Sequence, residues 1–141
     1  MANNDMIGKI AIYAYLAGVI IALVFGIYQA YTIENATTPL DIFFMTDAGG
    51  WVAWLLALIG VIVGILAVLG KGTITKQEVP GFLMAGVALL VMYAVFSGMA
   101  GMLDPWLGSL LSGISFALAI FIAPAVGLLA IKAIWDIGKS V

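Results

Sequence analysis

The sequence predicts an all-α polytopic membrane protein, four transmembrane helices in two hairpins joined by a basic hinge. Three observations carry that expectation. Four apolar runs recur along the chain, each of roughly 20 residues, the length a helix needs to cross about 30 Å of hydrocarbon. Hydrophobic residues make up 65% of the 141 and charged residues 9%, against roughly 25% charged in an ordinary soluble domain. So few charges cannot cover a water-facing surface. The charges also segregate: Lys9 precedes the first span, Lys71 and Lys76 lie in the hinge, and Lys132 and Lys139 lie at the end of the chain, whereas the loops inside the hairpins carry only acids.

The chain reads as a single integral membrane domain: a first hairpin over 1–69, a hinge over 70–81 and a second hairpin over 82–141. Ile10 to Ile33 is the first span. Lys9 ahead of an apolar run also fits the start of a secretory signal peptide, but the run exceeds the ~7–15 apolar residues of such a segment and no small-x-small cleavage site follows it. The loop from Glu34 to Gly50 holds Glu34, Asp41 and Asp47. Within it, Ile42-Phe43-Phe44-Met45 is too short to span and is expected at headgroup level. Asn35-Ala36-Thr37 matches a glycosylation acceptor, a tripeptide that also arises by chance. Asp47 is placed to cap the second helix, and Trp51 and Trp54 to sit in an aromatic belt at its outer end.

Trp51 to Leu69 is the second span and bears no charge. In the hinge, Thr75 and Glu78 have capping-box spacing, but a helix starting there would hold Pro80 in its interior, where the missing N–H costs a hydrogen bond. A start near Glu78 puts Pro80 in the first turn instead, so the third span is expected from about Pro80 to Ala100. Asp104-Pro105 then reads as N-cap and first residue of a short interfacial helix, with Trp106, Leu107, Leu110 and Leu111 on one face and Gly108, Ser109 and Ser112 opposite. The other reading runs this stretch straight into the fourth span, Ile114 to about Trp135. Pro124 lies mid-span, where it should loosen or kink the helix.

With four spans, the termini and the hinge share one side of the membrane, and all five lysines fall there. The positive-inside rule makes that side cytoplasmic and points to the plasma membrane. The halves resemble each other weakly. A shift of 63 residues superposes Leu40-Asp41 on Leu103-Asp104, Gly50 on Gly113, and Val63–Val68 on Val126–Ile131. This fits a parallel two-span repeat, and equally the shared composition of membrane helices.

The same composition excludes much chemistry. Histidine and cysteine are absent, so the usual zinc and haem ligand sets cannot form. There is no nucleophile with an adjacent base and no basic cluster for nucleic acid. No enzyme activity and no cofactor are expected. Glu34, Asp41, Asp47 and Asp104 lie on two separate loops, two of them with capping roles, so no metal site is expected either. No Asp, Glu, Lys, Arg or His lies between the belts, which argues against a proton-coupled carrier or a rotary-ring proteolipid, since both need a charge at depth.

Small residues recur where helices would meet. On the first span Ala14, Gly18, Ala22, Gly26 and Ala30 step by four; on the second Ala53, Ala57, Gly60, Gly64 and Ala67 alternate steps of four and three. Between helices in lipid, close backbone approach along such stripes supplies much of the attraction. The step of four suits a right-handed crossing better than the seam of a left-handed bundle, so the first stripe is expected to contact a neighbouring subunit, leaving the monomer independent of it. These features predict a non-catalytic structural or accessory membrane subunit, its partners being the bilayer and either further copies of itself or other membrane subunits. The alternative is a pore or facilitator for a neutral or weakly polar solute, using Tyr93, Ser97, Ser115 and the carbonyl freed by Pro124.

Overall fold

The computed structural model describes residues 2–99, 102 and 106–140, with side chains from residue 6 onward. Among these residues the regular structure is helical, without strands: α1 (Ala2–Asn35), α2 (Asp47–Val68), α3 (Val79–Gly98) and α4 (Leu107–Lys139), with two short 3-10 turns, Pro39–Asp41 and Phe43–Met45, between α1 and α2. All four helices are long and apolar enough to cross a membrane, as their runs of uncharged residues require. At about 1.5 Å per residue, α2 and α3 match the hydrocarbon layer, whereas α1 and α4, with 34 and 33 residues, exceed it and must tilt or protrude.

The helices do not contribute equally to the bundle. α4 packs against α1, α2 and α3; α1 also touches α2, while α3 rests mainly on α4. Composition explains this: α4 buries Gly108, Ser109, Ser112, Gly113, Ser115, Ala117, Ala119 and Ala125. Residues this small on several sides of one helix let several neighbours approach its backbone. Of α3, by contrast, only Gly86 is buried.

The stretch before the fourth span departs from the sequence-based expectation in two ways. It is not a separate interfacial helix, because Leu107 to Lys139 is one continuous helix that runs unbroken through Pro124. Its faces are also reversed. Ser109 and Ser112 are buried while Leu107 is 51% exposed. In lipid the large aliphatic side chain loses nothing by facing outward, and the small polar face is the one that must turn in. Asp104 and Pro105, assigned as its cap, lie outside the described residues. Trp106 leads into α4 with φ of 73°, its ring stacked on Tyr31 at 6.0 Å.

The loop after α1 also differs from expectation. Phe43 and Phe44 are buried against the helices. Phe43 stacks on Phe25 at 5.4 Å and meets Tyr28 edge-on at 4.9 Å; Phe44 meets Phe116 of α4 at 5.4 Å. Non-helical backbone can leave water only if its polar groups find partners. Here the Phe44 N–H donates to Gln29 Oε1 and the Phe43 N–H to Thr32 Oγ1, both at 2.9 Å. The α2 cap is Thr46, whose hydroxyl accepts from the Gly49 N–H at 3.1 Å, and Asp47 is the first helical residue instead of the cap. α3 begins at Val79 with Pro80 in its first turn, as the hinge sequence suggests. The Glu78 carboxylate accepts from the Thr75 N–H at 3.1 Å, and the hinge returns Ile74 to the core.

Candidate functional site: the helix-packing faces

Both small-residue stripes converge on α4. On α1, a β-carbon at Gly18 would overlap the Phe121 ring, and one at Gly26 would stand 2.8 Å from the Ile114 Cα. From the other side, a β-carbon on Gly113 would lie 2.9 Å from the Ala30 N. Ala22 and Ala30 have no exposed surface, and Ala14 packs against the core cluster. The α1 stripe is therefore the seam between α1 and α4. This overturns the expectation that it meets a neighbouring subunit: the matching small face, Gly113 and Ala117, lies on this chain's own fourth helix. Seen in the sequence, half of that face belonged to a supposed interfacial segment, so its complementarity to α1 was hidden.

The α2 stripe meets α4 from another side. A β-carbon on Gly60 would collide with the Phe121 carbonyl and come within 3.4 Å of Pro124 Cδ. On Gly64 it would lie 2.8 Å from the Ala125 Cα and 2.9 Å from Leu128 Cδ1. Ala67 is buried, and Ala53 and Ala57 are half-buried. At these crossings glycine is required for space, since any side chain would push two backbones apart. Phe121 lies at the meeting point, its ring under Gly18 and its carbonyl under Gly60.

The four residues named for a polar path do not converge. Ser115 is buried, but its hydroxyl donates to carbonyls of its own helix, Leu111 and, at 3.3 Å, Ser112. Ser97 is exposed and donates to Ala94 O at 3.3 Å. Tyr93 stacks on Phe116 with ring centroids 4.7 Å apart, and Pro124 faces Gly60.

The polar groups that do link elements were not assigned to a site from the sequence. They are Gln29 and Thr32, which hold the 3-10 turns, and Ser109, which donates to the Glu34 carboxylate across the outer ends of α1 and α4. Their signal was present: a glutamine and a threonine three apart at the end of an apolar span, where one helical face must meet something polar. In the loop, Asp41 accepts from the Thr37 hydroxyl at 2.7 Å and the Thr38 N–H at 3.0 Å. These hydrogen bonds, the Thr37 hydroxyl foremost, hold its carboxyl below the ordinary aspartate range.

A small-residue surface stays open in the middle of α4. Ala123, Gly127 and Ile131 form an exposed strip on α4, and nothing lies within 4 Å of a β-carbon built on Gly127. Beside it, Val87 and Leu90 of α3 complete an apolar groove of about 180 Å³. No family model, curated protein or solved structure matches the chain.

Proposed function

We propose that this protein is a non-catalytic subunit of a larger membrane assembly. In this reading it is a pair of hairpins in the plasma membrane, with the hinge and both termini cytoplasmic, and it receives a neighbouring transmembrane helix in the groove between α3 and α4. The observation that carries the reading is the open strip of Ala123 and Gly127. The α1 and α2 stripes are consumed internally, whereas here a glycine in the middle of the central helix leaves its backbone accessible from the lipid beside an apolar groove. A helix entering the groove gains van der Waals contact that a disordered acyl chain supplies less well. The facilitator reading has less to stand on, because the Ser97 and Ser115 hydroxyls are bonded within their own helices and Phe121 fills the space between α1 and α2.

The chain has no native cysteine, so single cysteines report contacts cleanly. Gly127→Cys carrying a thiol-attached photo-cross-linker is expected to cross-link on illumination to a second copy or to another membrane subunit. Ile20→Cys, on the outer side of α1 and 59% exposed, should stay monomeric. A native mass equal to one chain in mild detergent, together with no cross-link at 127, would remove the support for assembly. For orientation, Lys76→Cys should be shielded from an impermeant thiol reagent in intact cells while Thr38→Cys is labelled; the reverse pattern would invert the topology.

A further inference from the structure

Where the hinge meets the C-terminal end of α4, two lysines distant in sequence line one cavity of about 240 Å³. Lys76 comes from the hinge and Lys132 from α4; Val79, Leu129 and Ala133 supply the apolar part of the lining, and Asp136 the remaining charge. Leu129 is 3% exposed, so the wall belongs to the packed core. Lys132 Nζ lies 3.1 Å from Asp136 Oδ2. One carboxylate thus answers two ammonium groups, and the cavity keeps one positive charge in excess. The other acid of this region, Glu78, lines a different cavity and is engaged by the Thr75 N–H.

We propose that this cavity is a headgroup site for an anionic phospholipid. The phosphate would sit between Lys76 and Lys132, and the first carbons of the lipid would run over Val79 and Ala133. Charge selects an anion. The apolar lining selects an amphiphile over a free anion, which would leave the half-buried Val79 and Ala133 uncovered. Position agrees, and here the proposal rests on the proposed topology: in it all five lysines share the cytoplasmic face, where basic pockets between helices hold acidic headgroups. Asp136 makes the proposal sharp. It competes with phosphate for Lys132, so its neutralisation must strengthen binding, whereas loss of either lysine must weaken it.

The test uses the full chain in mixed micelles of phosphatidylglycerol and phosphatidylcholine, with retained lipid counted by native mass spectrometry. The wild type should retain phosphatidylglycerol preferentially. Lys76→Gln and Lys132→Gln should each lower that preference about fivefold, and Asp136→Asn should raise it. Lys71→Gln removes the same charge from the same face but outside the cavity and should have little effect. Lys76→Arg should retain the preference, which separates loss of charge from loss of fold. Equal losses for Lys71→Gln and Lys76→Gln would reduce the effect to diffuse surface charge and overturn the site, as would an Asp136→Asn variant that binds no better. Full displacement of the lipid by millimolar inorganic phosphate would show a free-anion site and overturn the lipid assignment.

Discussion

Val63-Gly64-Ile65-Leu66-Ala67-Val68 on α2 and Val126-Gly127-Leu128-Leu129-Ala130-Ile131 on α4 read almost alike, yet their glycines have opposite surroundings. Gly64 is pressed against the backbone of α4 at Ala125, whereas Gly127 faces open space. The difference comes from the position of each helix in the bundle. α2 meets α4 along one face, and its glycine lies on that face. α4 is enclosed by three helices, and Gly127 falls on the strip that none of them covers. A small-residue pattern therefore states a capacity for close approach and leaves its occupant unspecified. The α1 stripe teaches the same lesson in reverse: its spacing suits a partner, and the partner is the chain's own fourth helix.

The largest expected effect breaks that comparison directly. Gly60→Leu combined with Gly64→Leu should cost roughly 1–3 kcal/mol per site as overpacking, because both positions meet backbone on α4. Gly127→Leu should leave monomer stability within about 0.5 kcal/mol, and so should Ile62→Leu on an exposed face of α2. Unfolding of purified protein by titration with a denaturing detergent measures all three. A loss at Gly127 equal to that at Gly64 would show that the α4 strip is covered within the monomer.

Gly18→Leu with Ala22→Leu extends the test to α1. The pair should destabilise the monomer itself, by about 1–3 kcal/mol at the more crowded position, since Phe121 occupies the space a side chain at 18 would need. A double variant that unfolds like the wild type would return the stripe to an outward-facing role.

Gln29→Leu should cost about 2 kcal/mol, the scale of one buried donor left without a partner, because the Phe44 N–H then has none. Amide exchange at Phe44 should accelerate along with the fall in melting temperature. A smaller effect, about 1 kcal/mol, is expected for Thr46→Ala, which removes the α2 cap.

The smallest effect is the pH dependence contributed by Asp41. Its carboxyl is held below the ordinary value of 3.8 by the Thr37 and Thr38 hydrogen bonds. A depressed folded-state pKa stabilises the fold above the unfolded value, and that contribution fades as pH falls from about 3.8 through the lower folded value. Solvent screens this exposed group, so Asp41→Asn should alter the acid limb of a stability profile only slightly and leave neutral pH nearly unchanged. A variant effect confined to neutral pH would assign Asp41 a different role.

Much of the fold was legible without coordinates. The number of spans, the gathering of the lysines and the placement of Pro80 in the first turn of α3 follow from local causes: length against bilayer thickness, the energetic cost of charge in lipid, and the missing N–H of proline. The candidate faces were legible only as lists of small residues. Gln29 and Thr32 were visible but had no evident partner until the loop bearing Phe43 and Phe44 folded back onto them.

The sequence by itself determined that this chain is a set of apolar helices able to cross a membrane, with all its lysines at one set of loop ends and none at the other. Those properties are sums over local residues and do not depend on which helix touches which. Only the tertiary structure decided that α4 is the central helix, that the α1 and α2 stripes are both spent on it, that Gly127 remains uncovered, and that Lys76 and Lys132 share a cavity. The physical reason is the loss of contrast. In water, apolar residues mark the inward face of a helix, whereas in lipid nearly every face is apolar. Which small residues turn inward is settled by the shape of the neighbouring helix.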